Sequence, residues 1–501
     1  GDVYEYIEIT LYWANPDDIE SAVIVFTIPV DWLREHGMTP EDVGLMRYVG
    51  GDTYHRDWGW WDRAGDWNGP DFRTTGRYLR EYGMGQLIYA FIYTVDPESS
   101  VARAHPEWLA DPNTLDQSMP EVVDYQVDLL ASFYKRWGPF QWRNDSVPLG
   151  RRDGDDSVLL GQQQGLMETL RRFLDTHPDC AFQGVNGGGM GLNWEYLGYA
   201  SGFQFTDGQA GQLASYYATY LFPPDKINDM PDIWDPAKFD PATWRSLLCT
   251  NFDMTGDTFD LAQLEGIRQI VDIYHYLQSR GVVGRWVRVY HPTVTGDDPT
   301  MYLQRLSWDR KRGIIITKHR ITGVVVVHPK GLEPYERYEV TLQESPESFV
   351  RTGAQLMEDG VRLSDPPPGE LIYLNLSDHP GNRVDRTPPA TPGSVASSVA
   401  QHMGVPGVDL RWAPADDDCW LSYYEIARDG KIVGRVAKGC FYFDHSADAD
   451  PAAVYAVRAV DGAGNVSAWA AAKPCAGPRR QVVRAVGGQG LRFTGTWEPE
   501  A

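Results

Sequence analysis

From about residue 44 to residue 292 the chain repeats one rhythm, a short apolar run followed by a longer amphipathic stretch. This is the pattern of parallel βα units, because a parallel strand pair needs a crossover, and the crossover is usually a helix. Eight strand candidates fall in this region: Leu45 to Gly50, Gln86 to Tyr93, Asn113 to Asp116, Pro139 to Arg143, Ala181 to Val185, Phe203 to Phe205, Leu247 to Phe252 and Trp286 to Tyr290. Between them, Val122 to Trp137, Leu159 to Thr176, Gln209 to Leu221 and Leu261 to Ser279 carry apolar residues at three- and four-residue steps, the spacing of a helix face. Eight such units in roughly 250 residues predict an α/β fold, a (β/α)8 TIM barrel.

The period changes after Pro292. Tyr302 to Leu306, Gly313 to Ile316, Gly323 to Val327, Tyr338 to Leu342 and Leu371 to Leu376 read as strands joined by turns, a β-sandwich over 293–384. Asp385-Arg386-Thr387-Pro388-Pro389-Ala390-Thr391-Pro392 breaks every regular pattern and reads as a stiff linker. Beyond it, Val408 to Trp412, Tyr423 to Arg428, Lys431 to Val436, Phe441 to Asp444 and Ala453 to Val460 have the spacing of an immunoglobulin-like sandwich, within a segment 385–475. Residues 1–43 alternate as a β-rich flanking element, and 476–501 read as the start of a further module. A length of 501 residues suits this division, at about 150 residues per domain.

Composition narrows the partners. Lys and Arg number 45 against 69 Asp and Glu, a formal charge of −24, which repels phosphate backbones and anionic membranes. Nucleic acid is therefore not an expected partner, and no apolar run reaches the roughly 18 residues of a membrane span, so no membrane insertion is expected. The 18 Trp and 27 Tyr supply flat faces able to stack on hydroxyl-rich ligands such as sugars. The chain opens Gly1-Asp2-Val3-Tyr4 and reads as a mature or excised piece of an extracellular or cell-surface protein. Of its five cysteines, Cys180 and Cys249 read as buried thiols, whereas Cys419, Cys440 and Cys475 leave room for one disulfide. No Cys/His zinc spacing occurs, and Asp155-Asp156, Asp297-Asp298 and Asp416-Asp417-Asp418 read as solvated turns rather than calcium ligands.

In a (β/α)8 barrel the reacting groups sit at the carboxyl ends of the strands. The first strand candidate runs into Gly50-Gly51-Asp52, the fourth into Gln141-Trp142-Arg143-Asn144-Asp145, the fifth into Asn186-Gly187-Gly188-Gly189, and the sixth into Thr206-Asp207-Gly208. Carboxylates facing each other from strands four and six suit glycoside hydrolysis, as nucleophile and acid/base about 5–5.5 Å apart. Asp207 reads either as that acid or as a cap on the helix starting near Gln209, and Asp145 either as nucleophile or as a surface turn. Trp60, Trp61, Asp66 and Trp67 crowd the first loop, either as a sugar-stacking platform or as a packed lid. Asp52 reads as a hydroxyl-binding carboxylate or a turn residue, and Asn186 as a donor to a sugar hydroxyl.

Over residues 44–376 the chain resembles the melibiase-type α-galactosidases, glycoside hydrolase family 36, and their clan of retaining (β/α)8 glycosidases. The resemblance rests on Tyr82-Gly83-Met84-Gly85, His105-Pro106-Glu107-Trp108, Leu115-Asp116 with Pro120-Glu121-Val122-Val123-Asp124-Tyr125, and the glycines at 187–189 followed by Asp207. It continues through Phe222-Pro223-Pro224, Phe252-Asp253-Met254-Thr255, Lys330-Gly331-Leu332, and Gly353 to Gly360. The segment after the linker resembles a fibronectin type III domain, through Leu410-Arg411-Trp412, Tyr424 to Gly430 and Tyr455 to Ser467.

The first resemblance implies hydrolysis of an α-galactoside-like glycoside without metal or organic cofactor. Asp207 would be the general acid/base, and Asp52, Trp61, Asp66, Trp67, Trp142, Arg143 and Asn186 would line the sugar site. Where the family carries Lys-Trp-Asp at the end of strand four, this chain has Gln141-Trp142-Arg143. Asp145 lies two residues on, and a two-residue shift keeps the same face of a strand, so it can stand in as nucleophile. The alternative is a catalytically inactive barrel that binds carbohydrate.

Overall fold

The computed structural model describes residues 6–10, 25–29, part of 77–97, 99–144, 156–185, 194–204, 209–229, 244–252 and, with gaps of at most three residues, 261–473. It is a mixed α/β protein. Near the start, β1 (Tyr6–Thr10) and β2 (Val25–Pro29) form an antiparallel pair. Six short strands then make one parallel sheet: β3 (Leu87–Tyr89), β6 (Gln141–Asn144), β7 (Ala181–Gly184), β8 (Gly202–Gln204), β9 (Ile227–Asp229) and β10 (Asn251–Phe252). They lie side by side in sequence order, from β3 at one edge to β10 at the other. A doubly wound sheet reverses its strand order at a switch point. No reversal occurs among these six.

The helices α1 (Ser100–Ala104), α2 (Pro120–Trp137), α3 (Asp156–Thr176), α4 (Trp194–Tyr199) and α5 (Gln209–Ala218) fall between the strands. Trp142, Phe182 and Phe203, on three adjacent strands, pack with Leu130 and Phe133 of α2 and Leu166, Leu170 and Phe173 of α3 in one core. Helix α3 lies unusually close to the chain before α2: a Cβ on Gly165 would stand 1.7 Å from the Gln117 carbonyl oxygen.

Two expected barrel strands belong elsewhere. The run at 113–116 contributes only β5 (Thr114–Leu115), which pairs antiparallel with β4 (Leu109–Asp111). The Asp111-Pro112-Asn113 sequence turns the chain back, with the Asn113 N–H donating to the Asp111 carboxylate at 2.8 Å. The run at 286–290 forms β11 (Val287–Tyr290), which pairs antiparallel with Tyr302–Ser307 and so opens the following sandwich. In their place stands β9, whose three residues after Pro223-Pro224 show no period of their own.

The sandwich has a six-stranded and a three-stranded antiparallel sheet. Its central strands Gly313–Thr317 and Leu371–Leu374 are buried on both faces, so they read as unbroken apolar runs. Ile314, Ile316, Leu371 and Tyr373 face the long helix α6 (Leu261–Ser279), through Ile267, Ile270, Ile273 and Leu277. The intervening Ile315, Ile372 and Leu374 face Val325, Val327 and Val361 of the smaller sheet. The last domain has seven strands in sheets of three and four around Leu410, Trp412, Tyr424, Ile426, Val457 and Ala459. Cys419 and Cys440 are both free thiols there, which removes one of the possible pairings; Cys475 lies outside the described residues. Cys249 is buried and Cys180 half-buried.

Candidate functional site

Side chains alternate along β6, so Trp142 and Arg143 point to opposite faces of the sheet. Trp142 goes to the helix side, 1% exposed, its ring 5.0 Å from Phe182. An indole enclosed in the apolar core offers no face to a sugar, which corrects its expected place in the substrate site.

Arg143 goes to the other face and is 2% exposed. Its guanidinium donates to Gln183 Oε1 at 3.0 Å and to Gln204 Oε1. Gln183 lies on the adjacent strand β7 and Gln204 one strand further, on β8, so a single side chain links three strand ends. Gln204 is paired in register with Asn228 of β9, and Asn228 with Asn251 of β10. Asn251 Nδ2 donates to Asn228 Oδ1 at 3.0 Å. Gly202 is required beneath this row, because a Cβ there would meet Asn228 Oδ1 at 2.3 Å. Asn144, the last residue of β6, donates through Nδ2 to the Tyr93 hydroxyl at 2.7 Å.

One face of the sheet is therefore lined by a guanidinium and carboxamides where β-barrel interiors usually hold Val, Ile and Leu. Buried amides are costly unless paired, and here each guanidinium or amide named has a partner. The row was not anticipated from the sequence, although a Gln or Asn inside a short parallel strand is itself the signal, since such strands are ordinarily apolar throughout.

The remaining expected site residues, Asp145, Asp207, Asp52, Trp61, Asp66, Trp67 and Asn186, lie outside the described residues. Within them, two residues carried by the resemblance act structurally. Asp116 accepts from the Ser118 N–H at 3.1 Å and from its hydroxyl, shaping the turn into α2. His105 stacks on Trp108 with ring centroids 3.7 Å apart.

A cleft of about 1170 Å³ opens elsewhere, where the two sandwiches meet α6; Arg245, Arg268, Glu344, Asp378, Trp420 and Tyr423 line it. It is not at the ends of the parallel strands. Among the described residues, no helix is long and apolar enough to cross a membrane.

No family model matches the chain, and no curated protein matches its sequence. The solved structures to which the chain is similar include α-galactosidases of glycoside hydrolase family 36. AgaB from Geobacillus stearothermophilus is 18% identical, with 62% of this chain and 47% of that one covered at a TM-score of 0.49. A doubly substituted form of AgaA from the same organism, in complex with raffinose, is 17% identical, with 62% and 48% covered at 0.49. The α-galactosidase from Lactobacillus brevis is 17% identical, with 60% and 46% covered at 0.48. The chain spans about half the length of these structures.

Proposed function

We propose that this chain is an extracellular glycoside hydrolase acting on α-galactoside-like or related glycosides, built on a (β/α)8 barrel with a companion sandwich and a fibronectin type III-like domain. The observation that carries the reading is the link from Arg143 on β6 across β7 to Gln204 on β8. In sequence, Asp145 follows Arg143 by two residues and Asp207 follows Gln204 by three. Strands two apart in a sheet are separated by about 9.6 Å, and a retaining mechanism needs its two carboxyls about 5–5.5 Å apart. Asp145 then forms the covalent glycosyl ester, while Asp207 protonates the departing oxygen and later activates water. The amides of Gln183, Gln204 and Asn228 make a polar floor suited to a hydroxylated ligand.

Arg143 also favours a second reading. Its residue type replaces the carboxylate that the family resemblance puts at the end of strand four, and a buried cation neither attacks nor stabilises an oxocarbenium centre. If Asp145 does not substitute for that carboxylate, the barrel binds glycan without cleaving it.

Aryl α-galactosides and a panel of other aryl glycosides test both. Turnover by the whole chain, abolished in Asp145→Asn and in Asp207→Asn, is the expected result. Turnover that survives Asp145→Asn removes the assigned nucleophile. Glycan-array binding with no turnover selects the inactive barrel.

A further inference from the structure

We propose that an aromatic and basic corner at one end of the larger sandwich sheet binds an acidic polysaccharide, one whose sugars carry carboxylates. Two indoles build it. Where β11 pairs with Tyr302–Ser307, Val287 stands opposite Ser307, so the next pair outward is Trp286 with Trp308. Their rings meet nearly at right angles, 78° apart with centroids separated by 6.0 Å. The Arg288 guanidinium lies 4.3 Å from the Trp308 ring centroid, and its Nε donates to the Trp308 carbonyl at 3.0 Å. A cross-strand pair steadies a sheet through the area it removes from water. These two rings stay 69% and 57% exposed.

Cations gather at the same corner. Trp308 opens the turn Asp309-Arg310-Lys311-Arg312, which the Ser307 N–H closes by donating to the Arg312 carbonyl at 2.9 Å. Lys311 and Arg312 are exposed, and among the described residues neither they nor Arg288 forms an ion pair. Of the nearby acids, Asp309 is turned into its own loop, accepting from the Ser307 hydroxyl at 2.6 Å and the Lys311 N–H at 3.1 Å. Glu333 is held by Arg310 at 3.2 Å, and Glu336 is exposed beyond it. The corner therefore offers unengaged positive charge on a chain whose formal charge is −24.

This charge contrast selects the occupant. At physiological salt the screening length is about 8 Å, so a ligand at the corner feels the turn and Arg288 rather than the distant acids. Duplex nucleic acid, with one charge about every 1.7 Å, and an anionic bilayer both extend past the corner onto acidic surface. A single glycan chain does not. Its pyranose faces stack on the indoles, which Arg288 and the strand pairing already hold in place, so little freedom is lost on binding. Its carboxylates meet guanidinium and ammonium groups, as Glu333 already meets Arg310. The corner lies on the sandwich, and the proposal does not depend on hydrolysis by the barrel.

The test titrates the whole chain with alginate oligosaccharides by calorimetry at low and at physiological salt. Binding is expected, weaker as salt rises. The propylene glycol ester of the same alginate, its carboxylates masked, should bind about tenfold more weakly or not at all. Trp286→Ala and Trp308→Ala should each weaken alginate about tenfold while melting close to the parent, since both rings are exposed. Lys311→Gln combined with Arg312→Gln, which touches neither indole, should weaken binding and flatten its salt dependence. Tryptophans that serve only the sheet give the opposite, a lower Tm and unchanged binding. No alginate binding by the parent at millimolar uronate, equal binding of the ester, or variants that bind as the parent does would each overturn the proposal. So would tighter binding to single-stranded DNA or to phosphatidylserine vesicles than to alginate.

Discussion

Arg305 of the sandwich and Asp225, in the turn before β9, form an ion pair of 2.7 Å between Nη1 and Oδ1 across the boundary of two domains. Arg305 is wholly buried, and its Nη2 donates to the carbonyls of Cys249 at 2.8 Å and Thr250 at 3.2 Å. The guanidinium thus holds the chain entering β9 and the chain entering β10 against the sandwich. Replacing it with Met keeps most of the volume but strands a carboxylate and two carbonyls. Arg305→Met should lose about 3–5 kcal/mol, whereas Asp225→Asn, which keeps an acceptor, should lose about 1–2 kcal/mol. Chemical denaturation that gives equal losses for the two would show that the carbonyl contacts contribute nothing.

A second anchor joins α6 to the last domain. Asp272, 4% exposed, accepts from Trp420 Nε1 at 2.7 Å and from the Ser422 hydroxyl, while the Tyr276 ring meets the Trp420 ring edge-on at 5.4 Å. The Gly381 N–H donates to the Gly462 carbonyl at 2.8 Å beside them. This domain is docked rather than tethered. Asp272→Ala leaves two buried donors without their acceptor and should weaken the docking by about 2–4 kcal/mol. Limited proteolysis reads it out: cleavage in the segment 385–392 should accelerate in the variant, and an unchanged rate would mean the interface stands without Asp272.

How much of this was legible in advance depends on whether one segment carries its own signal. Helix α6 reads directly from Ile267, Ile270 and Ile273, because one buried face imposes a helical step on the sequence. Lys431–Val436 and Phe441–Asp444 likewise match their expected bounds, since turn residues punctuate them. Gly393–His402 does not read as a strand, being rich in Ser and Ala and largely exposed. The helix Gly353–Asp359 carried a usable signal, Thr352 and Gln355 in a capping box. The Arg143–Gln183–Gln204 row carried a signal in its polar residues within short parallel strands, but which of them meet is set by strand register. Trp142 was misassigned for the same reason, a one-residue difference deciding which face of the sheet a side chain takes.

Acid should weaken the fold through His291. Its ring stacks on Tyr220 with centroids 3.5 Å apart, and Tyr216 and Lys330 are close by. Thr219 Oγ1 donates to the Tyr216 carbonyl at 2.6 Å, so its contact with His291 Nε2 at 2.8 Å is donated by a protonated Nε2. Burial, with Lys330 adding to it, holds the imidazole at about 4 instead of 6.5. Between those values the unfolded chain carries a proton that the folded one refuses, so stability falls as pH falls through that window. Melting temperatures from pH 7 to pH 4.5 should decline, and His291→Gln should flatten part of the decline. His379, buried against Tyr373 and lowered in the same direction, should keep the remainder. A profile identical to that of the parent would mean that His291 takes its proton as readily folded as unfolded.

The close approach of α3 gives the steepest dependence on a single atom. At Gly165 an added Cβ would lie 1.7 Å from the Gln117 carbonyl oxygen and 2.6 Å from its carbon, and backbone cannot step aside as a side chain can. At Gly161, one turn earlier, the obstacle is Ser118 Cβ at 2.8 Å. Gly198, near the end of α4, has nothing within 4 Å. Gly165→Ala should therefore cost about 3 kcal/mol or more, and Gly161→Ala about 1 kcal/mol. Gly198→Ala should stabilise by about 0.5–1 kcal/mol, because alanine loses less backbone freedom in a helix. The three melting temperatures test the order. If Gly165→Ala melts with the parent, α3 does not press on the Gln117 turn, and the path by which the chain enters α2 is other than described.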